Sequence, residues 1–248
     1  MRWNKLNLPW VHLLLGTGLW TSAPLGLAGE LCGKVTLRGT PPPEVEVDLT
    51  AYPDCRKAHP GRLFTCHYVV GPDGGLANVF VYIKQGLEGH SFPIPTNVPV
   101  LDQRQCRFHP YVMGVMTNQK FLIRNSEPYM EAVQAEPKIN RGFTIGQPTP
   151  GMVHAARFTK PEVLIRVRCQ LHPWEFAFIG VVEHPFFAVT DTNGQFRLPP
   201  GLPPGTYLLE ALHPKLGAQS QSVTVPASGT QQVHFTFEVT PDPAKTKR

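Results

Sequence analysis

Apolar residues along the chain fall in short runs separated by turn formers. Leu31 to Leu37 is one run, Val45, Val47 and Leu49 alternate, and Val79-Phe-Val-Tyr-Ile83 follows. Val98 to Leu101, Cys106 to Met113, Lys120 to Asn125, Phe143 to Ile145, Val163 to Arg168 and Phe176 to Val182 continue the pattern. Between them stand Gly39-Thr-Pro-Pro-Pro43, Gly71-Pro-Asp-Gly-Gly75, Thr117-Asn118, Asp191-Thr-Asn-Gly194 and Pro203-Pro-Gly205. Runs this short, bounded this way, predict strands and not helices. Tyr68-Val-Val and Val79 to Ile83 are expected to form a hairpin across the Gly71–Gly75 turn. The polar segment 50–64 is expected to be a surface loop, as are residues 86–97. With 27 prolines and 22 glycines in 248 residues, the expected fold class is all-β.

Residues 1–28 read as a secretory leader. Arg2 and Lys5 precede an apolar stretch to about Leu27, and Gly26 and Ala28 supply small residues for cleavage. The competing reading, a membrane anchor, is opposed by His12, Thr17, Thr21, Ser22 and two prolines. The mature chain is therefore expected to be periplasmic or secreted, with no membrane span after cleavage. The formal charge of +5 falls to +3 without the leader's two basic residues. That excess, with no basic run interleaved with aromatics, does not point to nucleic acid.

Five cysteines remain, Cys32, Cys55, Cys66, Cys106 and Cys169. In an exported protein four would pair and one would be left. Cys55 and Cys106 lie beside turn-like segments and Cys32 and Cys66 each begin an apolar strand. The pairs expected are Cys55–Cys106 and Cys32–Cys66, of the three connectivities that four cysteines allow. Cys169 is the odd one, and it stands three residues before His172 and six before Glu175. Thiolate and imidazole on one short loop are a donor pair for copper or zinc.

Cys169-Gln-Leu-His-Pro-Trp174 between two apolar strands resembles the ligand loop of the cupredoxins, the blue-copper electron carriers. The resemblance covers residues 98–184 and implies a Greek-key β-sandwich. It places Cys169 and His172 at two ligand positions and Glu175 where the axial Met would be. In Asn125-Ser-Glu-Pro-Tyr-Met-Glu-Ala-Val-Gln134, Glu131 stands at the position of another ligand His, and Gln134 at a second His. It implies a copper site of Cys169, His172, Glu131 and Glu175, altered toward carboxylate and serving electron transfer with an unidentified redox or surface partner. Hard oxygens favour Cu(II) over Cu(I) and so a lower potential. Zinc fits the same donor set. The alternative is a metal-free structural or interaction module that kept the scaffold, with no ion at all. Met130, His109 and His213 are further donors by type, and Trp174 and Phe176 are expected to pack beside the loop.

A second resemblance lies in Phe187 to Phe196, Leu202-Pro-Pro-Gly-Thr-Tyr-Leu-Leu-Glu210 and Ser222 to Val225, which are similar to the carboxypeptidase regulatory-like (transthyretin-like) sandwich. Gly33-Lys-Val35 and Leu76 to Ile83 would supply its first half. The implied organisation is a leader at 1–28 and first-half strands at 29–97. An inserted cupredoxin-like domain follows at 98–184, then the second half at 185–239 and a disordered tail at 240–248. There is no Gly-x-Ser-x-Gly elbow, phosphate-cradling glycine loop or His-Glu-x-x-His helix, so a non-enzymatic protein is expected.

Overall fold

The computed structural model describes residues 29–59 and 61–239; the expected leader and tail lie outside them. Strand β1 spans Glu30–Arg38, a short helix α1 spans Pro53–Ala58 and β2 spans Phe80–Gln85. Next come β3 (Val100–Arg104), β4 (Arg107–His109), β5 (Val112–Met116), β6 (Phe121–Asn125), β7 (Glu131–Glu136), β8 (Phe143–Gln147) and β9 (Val153–Ala156). The long pair β10 (Glu162–Cys169) and β11 (Phe176–Val182) follows. The chain ends with β12 (Phe187–Val189), β13 (Gln195–Arg197), β14 (Gly205–His213), β15 (Gly217–Val225) and β16 (Thr230–Glu238). The fold is all-β, with α1 as the one helix among the described residues.

Four sheets form two sandwiches. In one, β13-β1-β16 faces β12-β2-β14-β15, so strands from both ends of the chain share its sheets. Alternation explains the packing: Val35 and Leu37 of β1, Val81 and Ile83 of β2, Tyr207, Leu209 and Ala211 of β14 and Phe235 and Phe237 of β16 point into one core. In the other, β5-β11-β10-β7-β8 faces β4-β3-β6-β9, with Leu101, Phe121, Ile123, Val133, Val167 and Ile179 between them. Here β11 runs parallel to β5, and β3 parallel to β6, so the chain crosses between sheets instead of meandering.

The sandwiches meet on a pad of two glycines. Gly180 of β11 pairs with Gly114 of β5, and the rings of Phe80 and Phe187 lie directly on them. A Cβ at Gly180 would sit 2.5 Å from Phe80 Cζ. Absence of side chains there lets the aromatic rings reach the backbone.

Several expectations are corrected. Segment 50–64 is not simply a loop: Pro53–Ala58 is helical, with proline in its first turn and Cys55 buried. Residues 68–83 do not make a hairpin. Val70 bridges Leu76 at a tight turn, while β2 takes β12 and β14 as its partners. The alternating run 45–49 yields a single bridge, Glu46 to Phe64. Cys55 and Cys106 are bonded as expected, but Cys32 and Cys66 are free. Cys32 is fixed in β1 between Arg197 and Gln232, whereas Cys66 lies in a loop against Arg107 and Tyr111 of the other sandwich. Cys32 is thus tied to strands of the first sandwich, while the loop carrying Cys66 packs against the second.

Candidate metal centre

The candidate centre is built at one end of the second sandwich. Cys169 closes β10, and its N–H donates to Glu175 O at 2.9 Å, while Glu175 N–H donates to His172 O at 3.0 Å. These two bonds fold residues 169–175 into a tight loop that turns Cys169, His172 and Glu175 the same way. Glu131 opens β7, the neighbour of β10. Asn125 holds the turn before it: Nδ2 donates to Tyr129 O at 2.8 Å and Gln147 O at 3.0 Å, and Oδ1 accepts from Glu127 N at 2.8 Å.

The four side chains named from the sequence converge. One ligand-type atom from each of Glu131, Cys169, His172 and Glu175 lies within 4.8 Å of all the others. Cys169 Sγ donates to Glu131 Oε2 at 2.9 Å and stands 3.6 Å from His172 Nδ1. Nδ1 is 3.2 Å from Glu131 Oε1 and 3.3 Å from Glu175 Oε1. Three of the four are sealed from solvent, and the His172 side chain keeps an exposed edge of 10%. The rings of Tyr52, Tyr129 and Trp174 surround it.

A fifth residue, Gln103 of β3, reaches the cluster from the opposing sheet. Its Nε2 donates to Glu131 Oε2 at 2.8 Å and to Glu175 Oε2 at 3.2 Å, holding both carboxylates in place. Three buried oxygens are left without a hydrogen bond: Gln103 Oε1, Glu131 Oε1 and Glu175 Oε1. The two carboxylate oxygens lie near Nδ1 but off the line of a hydrogen bond. Buried oxygens of this kind are costly unless something electropositive meets them.

The charges respond accordingly. Burial, then the Glu131 carboxylate and its hydrogen bond, push the Cys169 thiol up to about 12. Burial, then the Glu131 charge, raise Glu175 to about 8 against the pull of His172. Burial opposes a charge on His172, but Glu131 and Glu175 outweigh it and hold the imidazole above its ordinary value.

A tetrahedral site with bonds of about 2.0–2.3 Å places its donors about 3.3–3.8 Å apart. The nitrogen–sulfur and nitrogen–oxygen separations here match those edges, and the shorter sulfur–oxygen one carries a proton that a metal would displace. Leu171 N–H donates to Sγ at 3.2 Å, a contact that would tune the sulfur if it bound a metal. Copper and zinc both fit this donor set.

The other sequence candidates lie elsewhere. Gln134 is on the outer face, accepting from Arg168 and Gln170. Met130 is half exposed. His213 is buried in the first sandwich against Tyr68, and His109 pairs across from Asp102. Trp174 packs beside the loop as expected, its Nε1 donating to Cys106 O at 3.1 Å.

No family model matches the chain, and no curated protein matches it. Among solved structures it is similar to the Cu-containing nitrite reductase NirK from Thermus scotoductus SA-01, at 17% identity and a TM-score of 0.33 over 40% of this chain and 25% of that one. It is also similar to a mutant of amicyanin in its Cu(I) form, at 14% identity and a TM-score of 0.31 over 41% of this chain and 97% of that one. The chain thus spans about a quarter of the nitrite reductase. Among the described residues no helix is long and apolar enough to cross a membrane.

Proposed function

We propose that this is an exported metal-binding protein that holds one copper ion through Glu131, Cys169, His172 and Glu175 and serves one-electron transfer. In this reading residues 98–184 form a cupredoxin-like domain inserted between the halves, 29–97 and 185–239, of a carboxypeptidase regulatory-like sandwich. The observation that carries it is the pair of sealed carboxylate oxygens without hydrogen bonds beside a thiol and an imidazole at tetrahedral spacing.

Copper in such a set supplies a one-electron couple, biased toward Cu(II) by the two hard carboxylates. The chain's own residues prepare it. Cys169 must lose its proton to bind, and Glu131 Oε2 already accepts that S–H. Gln103 fixes the two carboxylates so that little rearrangement is needed. His172 alone of the four reaches the surface, next to the exposed Leu171, which makes its ring edge the exit for an electron to a partner.

The test is a melting series of the full chain with Cu(II), Zn(II) or a chelator. A native-state ligand at a hundred times its Kd adds about 2.7 kcal/mol, so a clear rise in Tm is expected with copper and its reversal with chelator. A rise with zinc alone would reassign the ion. No change with either metal rejects the reading in favour of a metal-free interaction module.

A further inference from the structure

Glu175 belongs to two groups of potential ligands. Besides the cluster above, one of its carboxylate oxygens lies within 4.8 Å of both Cys55 Sγ and Cys106 Sγ, which are themselves bonded to each other. All three side chains are sealed from solvent, and Glu175 Oε1 has no hydrogen bond.

We propose that reduction of the Cys55–Cys106 bond creates a second metal position, formed by the two thiolates and Glu175, for a thiophilic ion such as Cu(I) or Zn(II). Glu175 then stands between the two positions as a shared carboxylate. The proposal goes beyond the single-copper reading and has only Glu175 in common with it.

The chemistry balances simply. A dithiol delivers two electrons and two protons, the S–S bond breaks into two thiols, and the dithiol closes to its own disulfide. Binding of the ion then releases one proton from each thiol to solvent. The two thiolates select Cu(I) and Zn(II), and the carboxylate is a donor that Zn(II) also accepts.

The two sulfurs have reason to stay together once the bond is cut. Cys106 is held by its own backbone: its N–H donates to Glu127 Oε1 at 2.5 Å and its C=O accepts from Trp174. It occupies the two-residue turn between β3 and β4, where Gln105 and Cys106 sit at φ 53° and 54°. Non-glycine residues persist in that left-handed region only where their surroundings fix them. Cys55 is held by α1, where His59 N–H donates to Cys55 O at 2.9 Å and the Arg56 side chain donates to Leu49 O at 3.2 Å. Around both sulfurs pack Leu49, Leu63, Tyr129 and Trp174. None of these restraints passes through the S–S bond.

The experiment measures bound Zn(II) and Cu(I) per full-length chain, in a C32S/C66S background so that the two free thiols do not compete. Each sample is taken before and after reduction by a non-coordinating phosphine, with far-UV circular dichroism to confirm folding. Reduction is expected to raise the stoichiometry from one to two. Added C169S should abolish the first ion and leave the second, and added C55S/C106S should do the opposite. A first ion absent from the oxidised chain but a reduction-dependent ion present would sink the copper reading and keep this one. A folded, reduced chain that gains no ion overturns it. Should reduction unfold the chain, the restraints named above do not hold the two sulfurs together, and that result overturns it equally.

Discussion

Glu175→Gln should move stability and metal affinity in opposite directions. In the metal-free chain Glu175 is a sealed carboxyl beside a second carboxylate, with its pKa raised from an ordinary 4.5 to about 8. Between those values the folded chain keeps a proton that the unfolded chain has released. Stability therefore falls as pH rises through that window, by about 1.4 kcal/mol per pH unit, and the full penalty above it is on the order of 5 kcal/mol. His172, with its raised pKa, contributes stability below about pH 6.5 that is also lost as pH rises. Glutamine has the same shape, can still accept the Gln103 N–H and carries no charge to desolvate. Urea denaturation in chelator at pH 5, 7 and 9 should show the variant gaining on wild type as pH rises, by about 2–4 kcal/mol at pH 9. The same substitution should weaken copper binding at least tenfold, because a neutral amide replaces an anionic ligand. A variant equally destabilised at all three pH values, with unchanged metal affinity, would refute the reasoning.

Gly180→Val should cost about 1–3 kcal/mol, since any Cβ there meets the Phe80 ring; a neutral result in denaturation would mean the two sandwiches do not rest on this pad. Cys55→Ser with Cys106→Ser removes a cross-link spanning 51 residues and should cost about 4 kcal/mol, whereas Cys32→Ser with Cys66→Ser should change stability by less than about 1 kcal/mol. Asp102 accepts from Arg124 at 3.1 and 2.6 Å and from Ser126 at 2.7 Å. Burial raises its pKa, but these bonds outweigh it and hold the carboxyl below its usual range. Asp102→Asn should therefore cost about 1–3 kcal/mol at pH 7, and the difference from wild type should shrink as pH falls below about 4, as read by urea denaturation.

The site was legible where polarity broke an apolar frame. Val163 to Arg168 and Phe176 to Val182 announce two buried strands, so Cys169, His172 and Glu175 between them stand out as a loop with chemistry. Glu131 came through resemblance alone. Its strand, Glu131-Ala-Val-Gln-Ala-Glu136, is poor in β-branched residues, and its neighbours in the sheet, not local propensity, decide its conformation. The same holds for β9, Val153-His-Ala-Ala156. Gln103 was missed because Gln103-Arg-Gln-Cys106 reads as a turn-like segment; the signal available was its period-two spacing from Leu101, which puts both on the same face of β3. The Cys32–Cys66 pairing failed because Cys66 starts no strand: it lies in a loop, and the surface that loop packs on comes from residues far along the chain. That is a long-range fact, as is the meeting of β1 with β16. α1 escaped notice because its six residues carry no helical period; a proline in the first turn, the His59 N–H bond to Cys55 O and the burial of Cys55 secure it instead.

A metal–sulfur bond at Cys169 has a direct spectroscopic signature. Titration of the oxidised full-length chain with Cu(II), followed by visible absorption, should give an intense thiolate-to-copper band that saturates at one equivalent, persists in C32S/C66S and is absent in C169S. A titration with no such band, or a band that survives C169S, would contradict it.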